Sequence, residues 1–144
     1  VMSTSLTKAL AAARQRGRDR AIAVFNQPDN LRLEDAAAYA YIEPAIIDAA
    51  RERGEVYALV SPTRPRELRY PRWQFDAPAG RLAAALRPFV HARKNCFVIH
   101  HFMLHVQTTA SGPTSMQIIL DTNANIDALI QLAIGYMHAD QGAS

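Results

Sequence analysis

The chain has 144 residues, 49% of them hydrophobic and 20% charged, with a formal net charge of +3. That is one ordinary domain, or two small subdomains sharing a core, and it excludes a disordered, fibrous or multi-domain chain. No apolar run approaches a membrane span, and Val1-Met2-Ser3-Thr4-Ser5 lacks the basic-then-apolar plan of a signal peptide, so a soluble, cytoplasmic protein is expected.

In chain order, residues 5 to 25 read as a helix: Leu6, Leu10, Ala13, Gly17, Ala21 and Phe25 recur at three- and four-residue steps, off the line of Arg14, Arg16, Arg18 and Arg20. Gly17 weakens its middle. Asn26-Gln27-Pro28-Asp29-Asn30 is a stop, because proline cannot continue a helix and Asn and Asp favour turns. Glu34 to Ala40 has the acidic first turn of a short helix, and Pro44 opens another through Arg53, ended by Gly54. About three residues separate them, which is helix-turn-helix spacing. Residues 55 to 60 and 67 to 70 are β-prone and are joined by Ser61-Pro62-Thr63-Arg64-Pro65-Arg66, a hairpin with a stiff, arginine-bearing tip. Residues 71 to 80 lead into an α-helical half. One helix is marked by Leu82, Leu86, Phe89 and Val90, a second runs from Phe97 to Gln107 and is apolar nearly all round, and a third covers Ser115 to Leu120. Ile126, Leu129, Ile130, Ala133 and Met137 mark the last, and Thr108 to Thr114, with Gly112-Pro113, is a loop. The expected fold class is mainly α: a helix-turn-helix with a small β-hairpin wing over residues 1–76, then a helical bundle subdomain over 77–144.

The basic residues are unevenly placed. Lys8, Arg14, Arg16, Arg18 and Arg20 face one acid, Asp19; Arg64, Arg66, Arg69 and Arg72 face Glu67; Arg81, Arg87, Arg93 and Lys94 face none within their span. No Lys or Arg follows Asn95. Two halves of such different electrical character point to two partners, a polyanion for the first and a protein for the second. The plain alternative is a set of solvated helix faces.

A helix from Pro44 to Arg53 placed in a major groove would offer Ala45, Asp48, Arg51 and Glu52, an electrically neutral face. The flanks would then have to grip the phosphates: Arg14 and Arg18 in the first helix, and Arg64, Arg66 and Arg69 on the hairpin. Arg64, between two prolines, suits a narrow minor groove. A surface hairpin with no nucleic acid near it is the competing reading.

Trp73 and Phe75 fit stacking on single-stranded bases, or a plug joining the two subdomains with Gln74 bonding local backbone; the plug is expected. His101 and His105 stand one helical turn apart, with His100 and His91 nearby, yet Cys96 is the only Cys, Asp or Glu before Asp121 in that stretch, so polar tips at an interface are expected rather than a metal site. Cys96, the single cysteine, permits no intrachain disulfide and is expected to be a buried thiol rather than a nucleophile. No phosphate-cradling glycine loop, nucleophile elbow or paired-carboxylate pattern appears, so neither an enzyme nor a cofactor is expected. Phe97, Val98, Ile99, Phe102, Met103, Leu104 and Val106 cover most of a helix's circumference, more than one neighbour buries. Either a tight core covers them or a homodimer seam or second protein does; Trp73, Phe75, Phe102, His105, Met137 and His138 are the expected contacts of such an interface.

Three features together resemble a known family: the helix order ending at Gly54, the string Tyr70-Pro71-Arg72-Trp73-Gln74-Phe75-Asp76 followed by Gly80, and Gly112-Pro113 ahead of Ile118-Ile119-Leu120. From about Leu6 to Ala139 the chain resembles antitoxin-like proteins of the Xre/MbcA/ParS toxin-binding family. The resemblance implies a bacterial regulator that dimerises, binds double-stranded DNA through its helix-turn-helix, and binds a cognate toxin-like protein through its helical part. It also implies that His138 to Ser144 lies over the toxin's active site. The chain departs from the family pattern at Arg32 and Glu43, where helix caps are usual, and at Tyr41, where the turn usually has glycine. Its C-terminal loop also lacks the aromatic and proline pattern that usually precedes the glycine. Two other readings remain open: an excisionase-like DNA-architectural protein of a mobile element, and a protein-binding adaptor without DNA binding.

Overall fold

The computed structural model describes residues 3–107 and 109–142. Helix α1 (Thr4–Phe25) starts at Ser3, whose side-chain oxygen accepts from the Leu6 amide at 3.1 Å. Its residues up to Arg20 are exposed, and it joins the body only through its last turns, where Phe25 is buried. The five-residue stop after it is a turn, as its Pro and Asn require, but it closes into a strand that the sequence did not show. This is β1 (Asn30–Leu31), pinned by Asn30 Nδ2 donating to the Val24 carbonyl at 2.7 Å.

Helices α2 (Leu33–Ala40) and α3 (Pro44–Glu52) follow, joined by Tyr41-Ile42-Glu43. Tyr41 sits in the left-handed region at φ 56°, and the Ile42 amide closes α2 on the Ala37 carbonyl at 3.1 Å. Neither Arg32 nor Glu43 caps its helix with a side chain. The hairpin consists of β2 (Leu59–Val60) and β3 (Leu68–Pro71), and with β1 it makes an antiparallel sheet in the order β1-β3-β2. The register pairs Asn30 with Pro71, Leu31 with Tyr70, Leu59 with Arg69 and Val60 with Leu68.

The expected first strand, residues 55 to 60, shrinks to its last two positions because Gln74 takes over the backbone groups of Tyr57. The Tyr57 amide donates to Gln74 Oε1 at 2.8 Å, and Gln74 Nε2 donates to the Tyr57 carbonyl at 2.8 Å and to that of Pro71 at 3.2 Å. Gln74 belongs to a 3₁₀ turn over Arg72–Asp76, where the sequence reading had only a connection.

Then come α4 (Arg81–His91), α5 (Cys96–His105), α6 (Ser115–Leu120) and α7 (Asp127–Gly142). Thr114 and Gln117 form a reciprocal capping box at the start of α6. Helix α5 stops at His105, short of the expected Gln107, because Gln107 instead bridges to Thr114 across the loop. Thr108, in that loop, lies outside the described residues, as do residues 143–144 of the expected C-terminal tail. From His138 that tail continues α7 as far as Gly142.

Two cores result. The smaller holds Ala36, Ala37, Ile47, Ala58 and Tyr70 beneath the helix-turn-helix. The larger unites α4 to α7 around Leu86, Phe89, Phe102, Met103, Ile119 and Leu129, and it also takes in Phe25, Tyr57 and Leu59 from the first half. It therefore crosses the expected boundary at residue 76. The protein is mainly helical with a small three-stranded antiparallel sheet. No helix among the described residues is long and apolar enough to cross a membrane.

Little of the surplus apolar surface expected on α5 remains open: Phe97, Val98 and Leu104 are half-buried. Ile99, His100, Phe102 and Met103 are buried within this chain, and the exposed large hydrophobic residues lie elsewhere. Phe102 and Met137, expected at a partner interface, are core residues at 0% and 6% exposure. A neighbour was available that periodicity cannot reveal: α5 is covered by α6, α7, α4 and the sheet.

Candidate nucleic-acid interface

A groove of about 570 Å³ runs between the start of α2, one face of α3 and the hairpin. Arg32, Arg51, Arg64, Arg66 and Arg69 line it, with Glu34, Asp48 and Glu67 as the acids. Three segments distant in sequence thus deliver guanidinium groups to one place, which is what phosphate binding requires.

The arginines are held differently. Arg51 Nε donates to the Tyr70 hydroxyl at 3.0 Å, and that hydroxyl donates to Asp48 Oδ1 at 2.9 Å. Burial holds the Tyr70 phenol above its ordinary pKa, so it stays a neutral donor in this cluster. Asp48 and Arg51, expected to meet bases, are instead tied to the groove's inner wall, while Ala45 is exposed on α3 without a polar group to offer. Arg69 lies along the wing's root, 2.8 Å from Glu67 and stacked over the Phe25 ring at 4.8 Å. Arg64 is 80% exposed at the tip, with a long 3.7 Å contact to Glu67. Among the described residues Arg66 and Arg32 have no acidic partner.

The tip itself is ordered by Ser61, whose hydroxyl accepts from the amides of Thr63 and Arg64 at 3.3 and 3.0 Å. The last turns of α1 pack beside this loop, with Ile22, Phe25 and Asn26 facing Ser61 to Arg64 across a small depression. Arg14 and Arg18 are exposed farther along α1. Arg32 is the groove residue that sequence reasoning missed as a cation. It was legible only as a missing cap, although its position just before α2 places it there.

Trp73 and Phe75 do not form a stacking pair. Trp73 packs half-buried against the large core and Phe75 against the small one, its ring 6.5 Å from that of Tyr70. Trp73 Nε1 donates to the Tyr57 hydroxyl at 3.2 Å, and that hydroxyl lies 2.8 Å from His100 Nδ1. Trp73, Tyr57 and His100 thus form one buried hydrogen-bonded chain that crosses between the two halves. His100 Nε2 is buried with no hydrogen-bond partner. Burial, reinforced by the charges of His105 and His101, lowers the His100 pKa to about 4.

His101 and His105 are exposed and stack with centroids 5.0 Å apart, and His91 is exposed at the end of α4. Among the described residues no three His, Cys, Asp or Glu side chains converge. Cys96 is half-buried and accepts from the Val60 amide at 3.4 Å; burial raises its thiol pKa, the opposite of what a nucleophile needs. Compared with protein-family models, curated proteins and solved structures, the chain matches none.

Proposed function

We propose that the protein is a DNA-binding regulator of the antitoxin type, gripping the duplex backbone through the arginine groove and binding a partner protein through another surface. The observation that carries this reading is the convergence of Arg32, Arg64, Arg66 and Arg69 on one open groove beside a helix-turn-helix. Arg14 and Arg18 extend the same positive character along α1.

Binding would be dominated by phosphate contacts and weak in sequence preference. The outward side of α3 carries Ala45, Ile46 and Glu52, and its arginine is engaged with Tyr70, so few donors face base edges. A homodimer would set two such grooves on one duplex. The toxin-like partner, on this reading, meets exposed groups of the helical half such as His105 and His138, since Phe102 and Met137 are enclosed.

The same poverty of α3 favours a second reading, an adaptor that binds protein and leaves DNA alone. Fluorescence anisotropy with labelled duplex at rising salt separates the two. Regulation by DNA binding predicts an affinity that falls steeply with salt, in proportion to the phosphates neutralised. No binding at low salt would leave the adaptor.

A further inference from the structure

The third basic cluster has no part in the groove. Arg81 is structural: its Nε and one terminal nitrogen donate to the carbonyls of Ile119 and Ile118 at 2.9 and 2.6 Å, capping the end of α6. Arg87, Arg93 and Lys94 instead rim a trough where the end of α3 meets α4. Two adjoining hollows of about 250 and 340 Å³ form it, sharing Gly54 and Val90.

Its floor is apolar. Val60 and Val90 are 38% and 47% exposed there, with Val56 and Leu68 between the elements. Gly54 marks the closest approach: at φ +75°, a Cβ on it would stand 2.9 Å from a Val90 methyl. On the rim, Arg53 and Glu55 neutralise each other at 2.7 Å, and Glu52 is the one other acid among the lining residues, set against Arg87, Arg93 and Lys94. Among the described residues Arg87 and Arg93 have no acidic partner.

Arg93 adds a separate indication. It occupies the left-handed position that ends α4, at φ 52°, while the Arg93 and Lys94 amides close the helix on Val90 and Phe89, each at 3.1 Å. Glycine is the ordinary residue there, and a side chain in this conformation costs backbone energy. The sequence carries that cost and gains a cation at the rim.

Strand β2 is an edge of the sheet, yet its Val60 amide is already occupied by Cys96 Sγ at 3.4 Å. An occupant therefore gains little by adding as a further strand, and is held by side chains and charge instead. The two exposed valines would contribute nothing to a phosphate backbone.

We propose that this trough docks an acidic peptide segment of another protein, its apolar side chains seated on Val60 and Val90 and its flanking carboxylates on Arg87 and Arg93. The site backs onto the arginine groove, since Arg51 and Leu68 line both, but its own cations, Arg87 and Arg93, take no part in the groove.

A displayed library of random peptides, selected on the full chain and counter-selected on a Val90→Glu variant, tests it. The expected yield is peptides with Asp or Glu flanking Val, Ile or Leu, binding less tightly as salt rises. Their affinity should fall roughly tenfold or more in the double variant Arg87→Glu, Arg93→Glu, a loss of about 1.4 kcal/mol. These positions are exposed, and unchanged circular dichroism would show that the variants fold. Arg93→Gly should weaken the same peptides while raising the melting temperature. Three results would overturn the proposal: no enrichment over the Val90→Glu variant, enrichment of basic peptides, or a DNA duplex that displaces the selected peptides. Self-association that disappears in Val90→Glu would give the trough to a second copy instead.

Discussion

The two halves of the molecule solve the burial problem in opposite ways. The helix-turn-helix encloses a handful of residues, mostly alanines with Ile47 and Tyr70, and leaves α1 standing in solvent over most of its length. The helical half wraps four helices around Phe89, Phe102 and Leu129, each essentially inaccessible, and borrows Phe25, Tyr57 and Leu59 from the other side. The half with the thin core carries the charged groove, whereas the half with the thick core carries most of the buried apolar side chains. Arginines converging on one wall repel one another, so they are tolerated where they anchor to a body that is stable without them.

That division can be broken most forcefully from the core. Phe102→Ala should cost about 3–5 kcal/mol in urea unfolding, since it removes a fully enclosed ring that touches both Phe89 and Tyr136. Ile47→Ala in the smaller core, a truncation of comparable depth, should cost less, nearer the low end of about 2–5 kcal/mol. Equal losses would mean that stability is shared evenly between the halves.

The joint between them gives the next effect. His100 has a pKa of about 4 in the folded protein, against about 6.5 unfolded, so between those values the unfolded chain binds the extra proton. Stability is therefore complete above pH 6.5 and is lost as the pH falls toward 4, by on the order of 2–3 kcal/mol. A melting series in that window should show the slope, and His100→Gln should flatten it. A slope unchanged by that substitution would place the titration elsewhere.

On the thin side, Arg64→Ala with Arg66→Ala should change stability by less than about 0.5 kcal/mol while reducing the salt dependence of duplex binding by about two phosphate contacts. An effect of the opposite sign is expected at the turn. Tyr41, 95% exposed at a left-handed φ, should become more stable by about 1 kcal/mol as Tyr41→Gly. No gain in a thermal melt would show that the ring has a contact that offsets the strain.

The same contrast decides what the sequence reveals. Helices α2, α3 and α6 were readable because the acidic first turn at Glu34, the Pro44 and Gly54 that bracket α3, and the Gly112-Pro113 break before α6 are local punctuation. Strand β1 was not, since two residues become a strand only by pairing with Tyr70 and Pro71, some forty positions away. The enclosure of α5 was hidden for the same reason: a pattern of apolar residues shows that a face must be covered, not what covers it. Three basic clusters were visible in the composition, but their fates diverge in space. Arg64 and Arg66 stay open, Arg69 lies along Phe25, Arg81 caps α6, and Arg72 bridges Asp29 at 3.2 Å. Only the fold brings Arg32 to the groove.

A polyanion that meets the first half at the groove should leave the second untouched. Amide hydrogen exchange across the whole chain, with and without a short DNA duplex at low salt, tests it most directly. Added protection confined to residues 14–20, 32–34, 48–51 and 61–70 is the predicted result. Protection confined to residues 81–142, or none anywhere, would contradict it.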